Sequence, residues 1–371
     1  MSPAPLVLAL NAGSSSLKCA LYEVRDGVPV EAGRSEAEVH GAAADAKAVF
    51  ELLDWAARLC PEGTLAGVGH RVVHGGPDFH EPALIDPPTL ATLKGLIPLA
   101  PLHQPQSLAA IAAVSELRPG LRQVACFDTG FHRTMAEVVT RFGLPRDLHD
   151  HGVRRYGFHG LSYAYIAERL KALDPELAAG RVIVAHLGSG ASLCAMAGGR
   201  SVDTTMGFSP LDGLVMSTRC GSLDPGVVLF LQSQGRLDHD RLQTLLYSHS
   251  GLLGVSGLSG DMRTLLASDE AAAAEAVELF VHRAGREAAA LAGTLGGLDG
   301  VVFTAGIGEH SARIRTLICE KLAWLGLELD PVANAAGGEA RISAPGSRTA
   351  AWVMPTDEER VIAVQTLSRL S

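Results

Sequence analysis

Two short turns built from small residues are the first places in this chain where chemistry can gather. The tract Asn11-Ala12-Gly13-Ser14-Ser15-Ser16-Leu17-Lys18 follows an apolar run. Its small side chains let backbone N–H groups and hydroxyls converge on phosphate oxygens while Lys18 supplies charge. The G-x-x-x-x-G-K spacing of a Walker loop is absent, and a bare hairpin tip is the plainer reading of this tract alone. His186-Leu187-Gly188-Ser189-Gly190 forms a second such turn. Two tips facing each other across a cleft could hold a polyphosphate. A third element runs Val301-Val302-Phe303-Thr304-Ala305-Gly306-Ile307-Gly308-Glu309, a buried strand, a glycine pair and then a helix. Glycines there let a ligand lie close to the backbone at a helix N-terminus, although an ordinary strand-to-helix turn reads the same way.

Two arginines stand in glycine-flanked company, Arg71 in His70-Arg71-Val72-Val73-His74-Gly75-Gly76 and Arg219 in Met216-Ser217-Thr218-Arg219-Cys220-Gly221. Their planar forks suit carboxylate and phosphoryl oxygens, with a surface salt bridge as the alternative for either. Asp128 follows the apolar Val124-Ala125-Cys126-Phe127 and so ends a buried strand. It can offer an oxygen to magnesium or cap the turn at Thr129-Gly130. Near the far end, Thr356-Asp357-Glu358-Glu359 precedes an apolar run and matches a capping box. With Thr356 as N-cap, Glu359 is occupied by the cap, which leaves Glu358 to face a metal. His159, in Tyr156-Gly157-Phe158-His159-Gly160, and His186 are the histidines nearest these glycine-rich elements. Each is either a satisfied core side chain or a donor to a developing phosphoryl charge.

The elements that must carry these residues are mixed. Leu6–Leu10 and Leu17–Val24 read as strands flanking the first turn, and Val182–Ala185 and Ala191–Met196 as strands flanking the second. Ser15-Ser16-Leu17-Lys18-Cys19-Ala20 weakly echoes Ala191-Ser192-Leu193-Cys194-Ala195, which suggests one domain per copy. Helical periodicity marks Ala46–Leu59, Ser162–Leu173, Asp269–Leu291, Ile314–Leu325 and a last helix after Thr356 that could fold back on the first domain. The reading is α/β with two domains, residues 1–131 plus 361–371 and residues 132–360, with the boundary near 131–150.

Composition narrows the class. With 371 residues, 47% hydrophobic and 41 glycines, the chain has material for a sizeable core and exceeds what one core normally serves. A formal net charge of −9 argues against a sequence-independent grip on nucleic acid. The six cysteines show no zinc or redox spacing and fit the reducing cytosol. Leu6–Leu10 is too short for a signal peptide or membrane span, so a cytoplasmic protein is expected.

Together these segments resemble the acetate kinase family, within the acetate and sugar kinase, Hsp70 and actin superfamily. The likeness rests on eight segments in the family's order: Asn11 to Lys18, His70 to Gly76, Phe127 to His132, Tyr156 to Gly160, His186 to Gly188, Thr218-Arg219, Phe303 to Glu309, and Pro355-Thr356 with Glu358-Glu359. The resemblance implies a duplicated ribonuclease H-like fold, an interdomain active-site cleft and a homodimer. It further implies ATP as co-substrate and magnesium, or manganese, as metal. By motif, Arg71 and Arg219 would grip the acyl carboxylate and the moving phosphoryl group, with His159 stabilising it in flight. Asp128 and Glu358 would place the metal, and Asn11, Ser14, Ser16 and Lys18 would support it and the phosphates. The nucleotide would lie by His186, Gly188, Ser189, Gly190, Asp261, Arg263, Gly306, Ile307 and Gly308. Val73, Leu102, Phe158 and Pro210 would form an apolar pocket for the acyl group, and Arg71 would bind the substrate with them.

A carboxylate is already a nucleophile, so such a reaction needs positioning and charge neutralisation but no strong base. Several positions depart from the family pattern: Gln104, Ser107, Leu161, Tyr163, Ser189, Ser217 and His310, of which Ser189 and His310 would lie by the phosphates and nucleotide. Rival readings are a propionate or butyrate kinase, a pyrophosphate-dependent relative, and a non-catalytic ATP-gated clamp. The clamp predicts no acyl site.

Overall fold

The computed structural model describes residues 4–13, 16–38, 42–233, 235 and 237–370. Chain contacts divide it into two compact units, Met1–Arg133 with Phe158–Tyr165 and Asp357–Ser371, and Thr134–Gly157 with Ile166–Thr356. The first unit holds strands β1 (Pro5–Ala12), β2 (Ser16–Arg25), β3 (Val28–Glu38), β4 (Thr64–Val72), β5 (Ala83–Leu84) and β6 (Gln123–Phe127) in the order β3-β2-β1-β4-β6-β5. The second holds β7 (Arg181–Leu187), β8 (Ala191–Ala197), β9 (Arg200–Thr204), β10 (Gly300–Thr304), β11 (Ala340–Arg341) and β12 (Ala350–Val353) in the order β9-β8-β7-β10-β12-β11.

Adding six to each strand number of the first sheet gives the second. The directions agree too: β1 is antiparallel to β2 and parallel to β4, as β7 is to β8 and β10. Outer strands β5 and β11 each lie antiparallel to β6 and β12. The duplication is therefore a property of the topology, and the sequence echo that suggested it is out of step. In the first hairpin the turn bond runs from Gly13 N–H to the Ser16 carbonyl, and in the second from Gly188 N–H to the Gly190 carbonyl. Aligning those glycines pairs Asn11↔Lys18 with His186↔Ser192, so Leu17 corresponds to Ala191 and not to Leu193. An offset of two keeps every side chain on its own face of the strand, which is why the likeness survives it.

β1 is apolar almost throughout because helices cover both faces of its sheet, as expected of a central strand in a mixed sheet. Leu6, Leu8 and Leu10 pack with Val49, Leu52 and Leu53 of the helix Ala42–Leu59 and with Val114 of the helix Gln104–Leu117. Val7 and Ala9 face the other way, onto Ile362 and Ala363 of the helix Glu358–Leu370. Among the described residues no helix is long and apolar enough to cross a membrane.

Two details of the first unit fix the backbone near Arg71. His70, fully buried on β4, has its Nε2 2.7 Å from Gln123 Oε1 on β6, so Nε2 carries the proton and donates. Gln123 in turn donates to the Ser115 hydroxyl at 2.8 Å. Burial pushes the His70 imidazolium down to about 4 from the usual 6.5. The second detail is Gly160, whose N–H donates to the Asp128 carbonyl at 2.9 Å. A Cβ on Gly160 would stand only 2.1 Å from that carbonyl oxygen, so no other residue fits this approach.

Because the folded state disfavours the protonated imidazole, His70's contribution to stability is intact above about pH 6.5 and is lost as pH falls toward 4, amounting to about 3 kcal/mol. Urea midpoints of the wild type should fall steeply across that window. His70→Leu, weaker at neutral pH, should show a flatter slope there. Gly160→Ala should lower stability by about 1–3 kcal/mol through overpacking, as read from the melting temperature.

Candidate active site

Parallel strands β4 and β6 end together, with Arg71 in register with Cys126, so Asp128 emerges beside the guanidinium. Arg71 Nε and Nη2 both donate to Asp128 Oδ2, at 2.9 and 2.7 Å. Its Nη1 donates to Asn11 Oδ1 at 3.2 Å. Asn11, on β1, uses its amide Nδ2 to reach Glu358 Oε2 and Glu359 Oε1, each at 2.9 Å. From β3, Arg34 reaches Glu359 at 3.1 Å and both Asp357 and Glu31 at 2.7 Å. Asn11, Arg71, Asp128 and Glu358, four positions singled out in the sequence, thus form one continuous network.

The network carries more negative than positive charge. Two guanidiniums, of Arg34 and Arg71, face the carboxylates of Glu31, Asp128, Asp357, Glu358 and Glu359. Asp128 is buried, and its Oδ1 has no hydrogen-bond partner. Burial raises its carboxyl above the usual range, the nearby Arg71 pulls it back, and Glu358 adds a smaller raising effect. The same pairing holds the Arg71 guanidinium firmly charged against its own burial.

The cap of the last helix corrects the sequence reading. Asp357, not Thr356, caps it, with Asp357 Oδ1 accepting from Arg360 N–H at 3.0 Å and the helix starting at Glu358. Thr356 lies in the second unit, its N–H donating to Glu309 at 3.3 Å. Glu359 is engaged, but by Asn11 and Arg34 instead of by a cap. Glu358 remains the better oxygen for a cation because no guanidinium holds it in the network above and it is only half buried.

His159 is buried and sits at φ +58°, a left-handed backbone costly for a non-glycine residue and most often kept where function needs it. The Gly160–Asp128 contact pins its neighbour. Phe158 is buried edge-on to His74, with ring centroids 5.5 Å apart, and Val73 is buried directly after β4. Leu102 is 41% exposed and joins none of the buried apolar clusters described above. Lys18 is exposed on β2 opposite Asn11, Ser16 opens β2, and Ser14 lies outside the described residues. Gln104, a departure from the family pattern, is fully buried and braces the His74 backbone, accepting from its N–H and donating to its carbonyl, both at 3.1 Å.

The second unit holds a cavity of about 730 Å³ lined by Gly188, Ser189, Asp261, Arg263, Gly306 and Ile307, together with Ser217, His310 and others. Most of the residues expected around a nucleotide are therefore brought together. His186 and Gly308 are buried and do not line it, and Gly190 closes the turn with Gly188. Two departures meet here, since Ser217 N–H donates to the Ser189 carbonyl at 3.1 Å. Asp261 caps the helix Met262–Leu266 and pairs with Arg263 through both oxygens, Nη2 to Oδ2 at 2.6 Å and Nε to Oδ1 at 3.1 Å. Arg219 donates from Nη1 to the Pro210 carbonyl at 2.6 Å, and Pro210 is buried.

Sequence reasoning missed the residues that hold this wall. Glu309 Oε1 accepts from Ala305 N–H at 2.8 Å, fixing a residue at φ +64° between β10 and the glycine pair. Arg315, almost wholly buried, donates to the carbonyls of Gly308 and Glu309 at 2.9 and 2.8 Å and to Asn334 Oδ1 at 2.7 Å. It caps the C-terminal end of the helix Ala305–His310 as a cation should. The spacing of Glu309 after Thr304 was a readable signal; nothing near Arg315 in sequence announces its partners.

The family model described as the Acetokinase family matches residues 6–364. The acetate kinase of Rhodopseudomonas palustris is 51% identical over 384 residues, spanning 96% of each chain. Among solved structures, Porphyromonas gingivalis acetate kinase superposes with a TM-score of 0.85 at 35% identity, covering 99% of this chain and 100% of that one. A propionate kinase from Francisella tularensis subsp. tularensis reaches 0.86 at 35% identity, covering 97% and 98%. A match over nearly the whole length, with half of all residues identical to one such relative, places this chain in the acetokinase family.

Proposed function

We propose that this protein transfers the γ-phosphoryl group of ATP to acetate, giving acetyl phosphate and ADP, and runs the reverse reaction at the same site. As a member of its family it is a kinase with a carboxylate as acceptor. The observation that carries the fuller reading is Arg71, whose fork is aimed by Asp128 and Asn11 into a cluster with surplus negative charge. An acyl carboxylate oxygen attacks the γ-phosphorus in line as the bond to the β–γ bridging oxygen breaks, and no proton has to move. Arg71 and Arg219 neutralise charge on the acceptor and on the transferring group, and His159 donates to an equatorial oxygen of it.

The cluster is proposed to hold magnesium. Asp128 Oδ1 is buried without a partner, and Asn11 and Glu358 supply further oxygens, with manganese an acceptable substitute. No group of three or more His, Cys, Asp or Glu among the described residues is arranged to hold a metal. Magnesium suits such a place, since it takes one or two carboxylates and otherwise keeps water and phosphate oxygens. When bound it would neutralise charge on the β- and γ-phosphates. ATP's adenosine end is assigned to the cavity between Asp261, Arg263 and Gly306, with Ser189 by the phosphates and Lys18 adding charge.

Val73, Leu102, Phe158 and Pro210 are proposed to receive the methyl group. One added methylene changes discrimination by about 1–3 kcal/mol, and the likeness to a propionate kinase favours propionate as a slower second substrate. The six unpaired cysteines support a cytoplasmic setting. We also propose a homodimer. The helix Pro225–Ser233 buries none of its residues and leaves Leu229 65% and Phe230 57% exposed, an apolar face suited to a second copy.

Initial rates with acetate, propionate and butyrate, each with ATP or pyrophosphate, should give fastest turnover for acetate with ATP. No turnover with any pair would instead favour an ATP-gated clamp. Arg219→Ala should fold with unchanged circular dichroism and lose on the order of a thousandfold in kcat. Retention of full activity would sink the assignment of that arginine. Phe230→Glu should shift the molar mass by light scattering from that of a dimer to that of a monomer.

A further inference from the structure

Between β9 and the helix Pro225–Ser233 the chain runs through the irregular segment 205–224. Segments beyond about 12–15 residues with no secondary structure of their own are uncommon and are usually functional. This one carries both Arg219 and Pro210. A guanidinium borne on such a segment is placed only as well as the segment is braced.

The brace centres on one carboxylate. Asp212 Oδ1 accepts from the Ser222 hydroxyl at 2.7 Å and from Gly213 N–H at 2.8 Å. Gly213 N–H also reaches Ser222 Oγ at 3.2 Å, and Ser222 N–H donates to the Gly213 carbonyl at 2.9 Å. These contacts close residues 212–222 into a ring, and Arg219 projects from within it. Outside the ring Arg219 Nη1 meets the Pro210 carbonyl at 2.6 Å, while within it the Arg219 carbonyl accepts from Met216 N–H at 3.1 Å.

The other oxygen ties the ring to its surroundings. Asp212 Oδ2 lies 3.8 Å from Arg155 Nη1 and so close to Gly207 that a Cβ there would come within 2.4 Å of it. Arg155 donates to the carbonyls of Thr204 and Met206, at 3.0 and 3.1 Å, where the segment leaves β9. Gly207 is anchored as well, its carbonyl accepting from Tyr156 N–H at 3.0 Å.

We infer that Asp212 is a positioning residue, the group that sets where Arg219 points during phosphoryl transfer. The inference rests on the role given to Arg219 under the proposed function. Asp212 acts by fixing both ends of the ring that carries the arginine. A misplacement of about 1 Å far from the chemistry can lower turnover by on the order of a hundredfold. Nucleotide binding is assigned to a wall built largely from other segments, so the effect should fall on kcat.

Asp212→Ala should reduce kcat by about 10–100-fold with KM for ATP within about twofold and circular dichroism unchanged. Ser222→Ala, which removes one partner of the carboxylate, should reduce kcat by a smaller factor. Should Asp212→Ala fail to fold, Ser222→Ala and the exchange of the two side chains, Asp212→Ser with Ser222→Asp, carry the test. Because Gly213 N–H reaches both positions, the exchange should recover turnover that Asp212→Ser alone loses. A merely structural role would lower melting temperature and active fraction without changing kcat per active site. If Arg219→Ala is inactive yet Asp212→Ala and Ser222→Ala keep wild-type kcat, the positioning role is overturned and Arg219 stands. If Arg219→Ala is itself active, the role of Arg219 falls and the inference falls with it.

Discussion

A half-buried guanidinium and the buried carboxylate it pairs with, at the ends of two parallel strands, govern the first unit. Burying either charge alone would be strongly unfavourable, and a buried pair is tolerated only with good geometry and further hydrogen bonds. Arg71 meets that demand by placing two N–H groups on one oxygen of Asp128 and a third on Asn11. The arrangement leaves the other Asp128 oxygen bare, which a structure built only for stability would avoid. Every neighbour then has a task set by that pair. Asn11 carries the network to Glu358 and Glu359, and Arg34 gathers the carboxylates that would otherwise repel one another.

Much of this was legible in the sequence wherever the signal was local. Apolar runs broken by small-residue turns gave β1, β2, β7 and β8, and 3.6-residue periodicity gave the long helices, including Ala271–Leu295. Strand β3 was not legible: it is polar and exposed over much of its length, so no alternation marks it. The helix Pro225–Ser233 also escaped, since its apolar residues face outward and give no amphipathic stripe. The echo between the two hairpins pointed to the right duplication through the wrong residue pairing. Small residues simply recur near tight turns.

The candidate site divides along the same line. Asn11, Arg71, Asp128 and Glu358 could be found because each sits at a strand end or helix start that its own neighbourhood defines. Arg34 could not, because its partner Glu359 is 325 positions away and no local pattern links them. Nor could Arg315, whose charge is answered by carbonyls of Gly308 and Glu309 and by Asn334. The choice of Glu358 over Glu359 rested on a cap at Thr356, whereas the helix is capped by Asp357. The glycine wall of the second unit shows how strain and support come paired: Ala305 holds a left-handed backbone because the Glu309 carboxylate takes its N–H.

The helix Glu358–Leu370 belongs to the first unit but is separated from its strands by nearly all of the second. During synthesis the sheet β1 to β6 therefore emerges with one face open. Val7, Ala9, Val124 and Cys126 wait for Ile362 and Ala363 to cover them. At about 5–20 residues per second that wait is roughly tens of seconds. The nascent first unit thus exposes an apolar face, the kind of surface that promotes aggregation, while the second unit is made. Its acidic cluster is also incomplete until Glu358 and Glu359 leave the ribosome, so a chain still being translated can neither hide that surface nor close the network around Asn11.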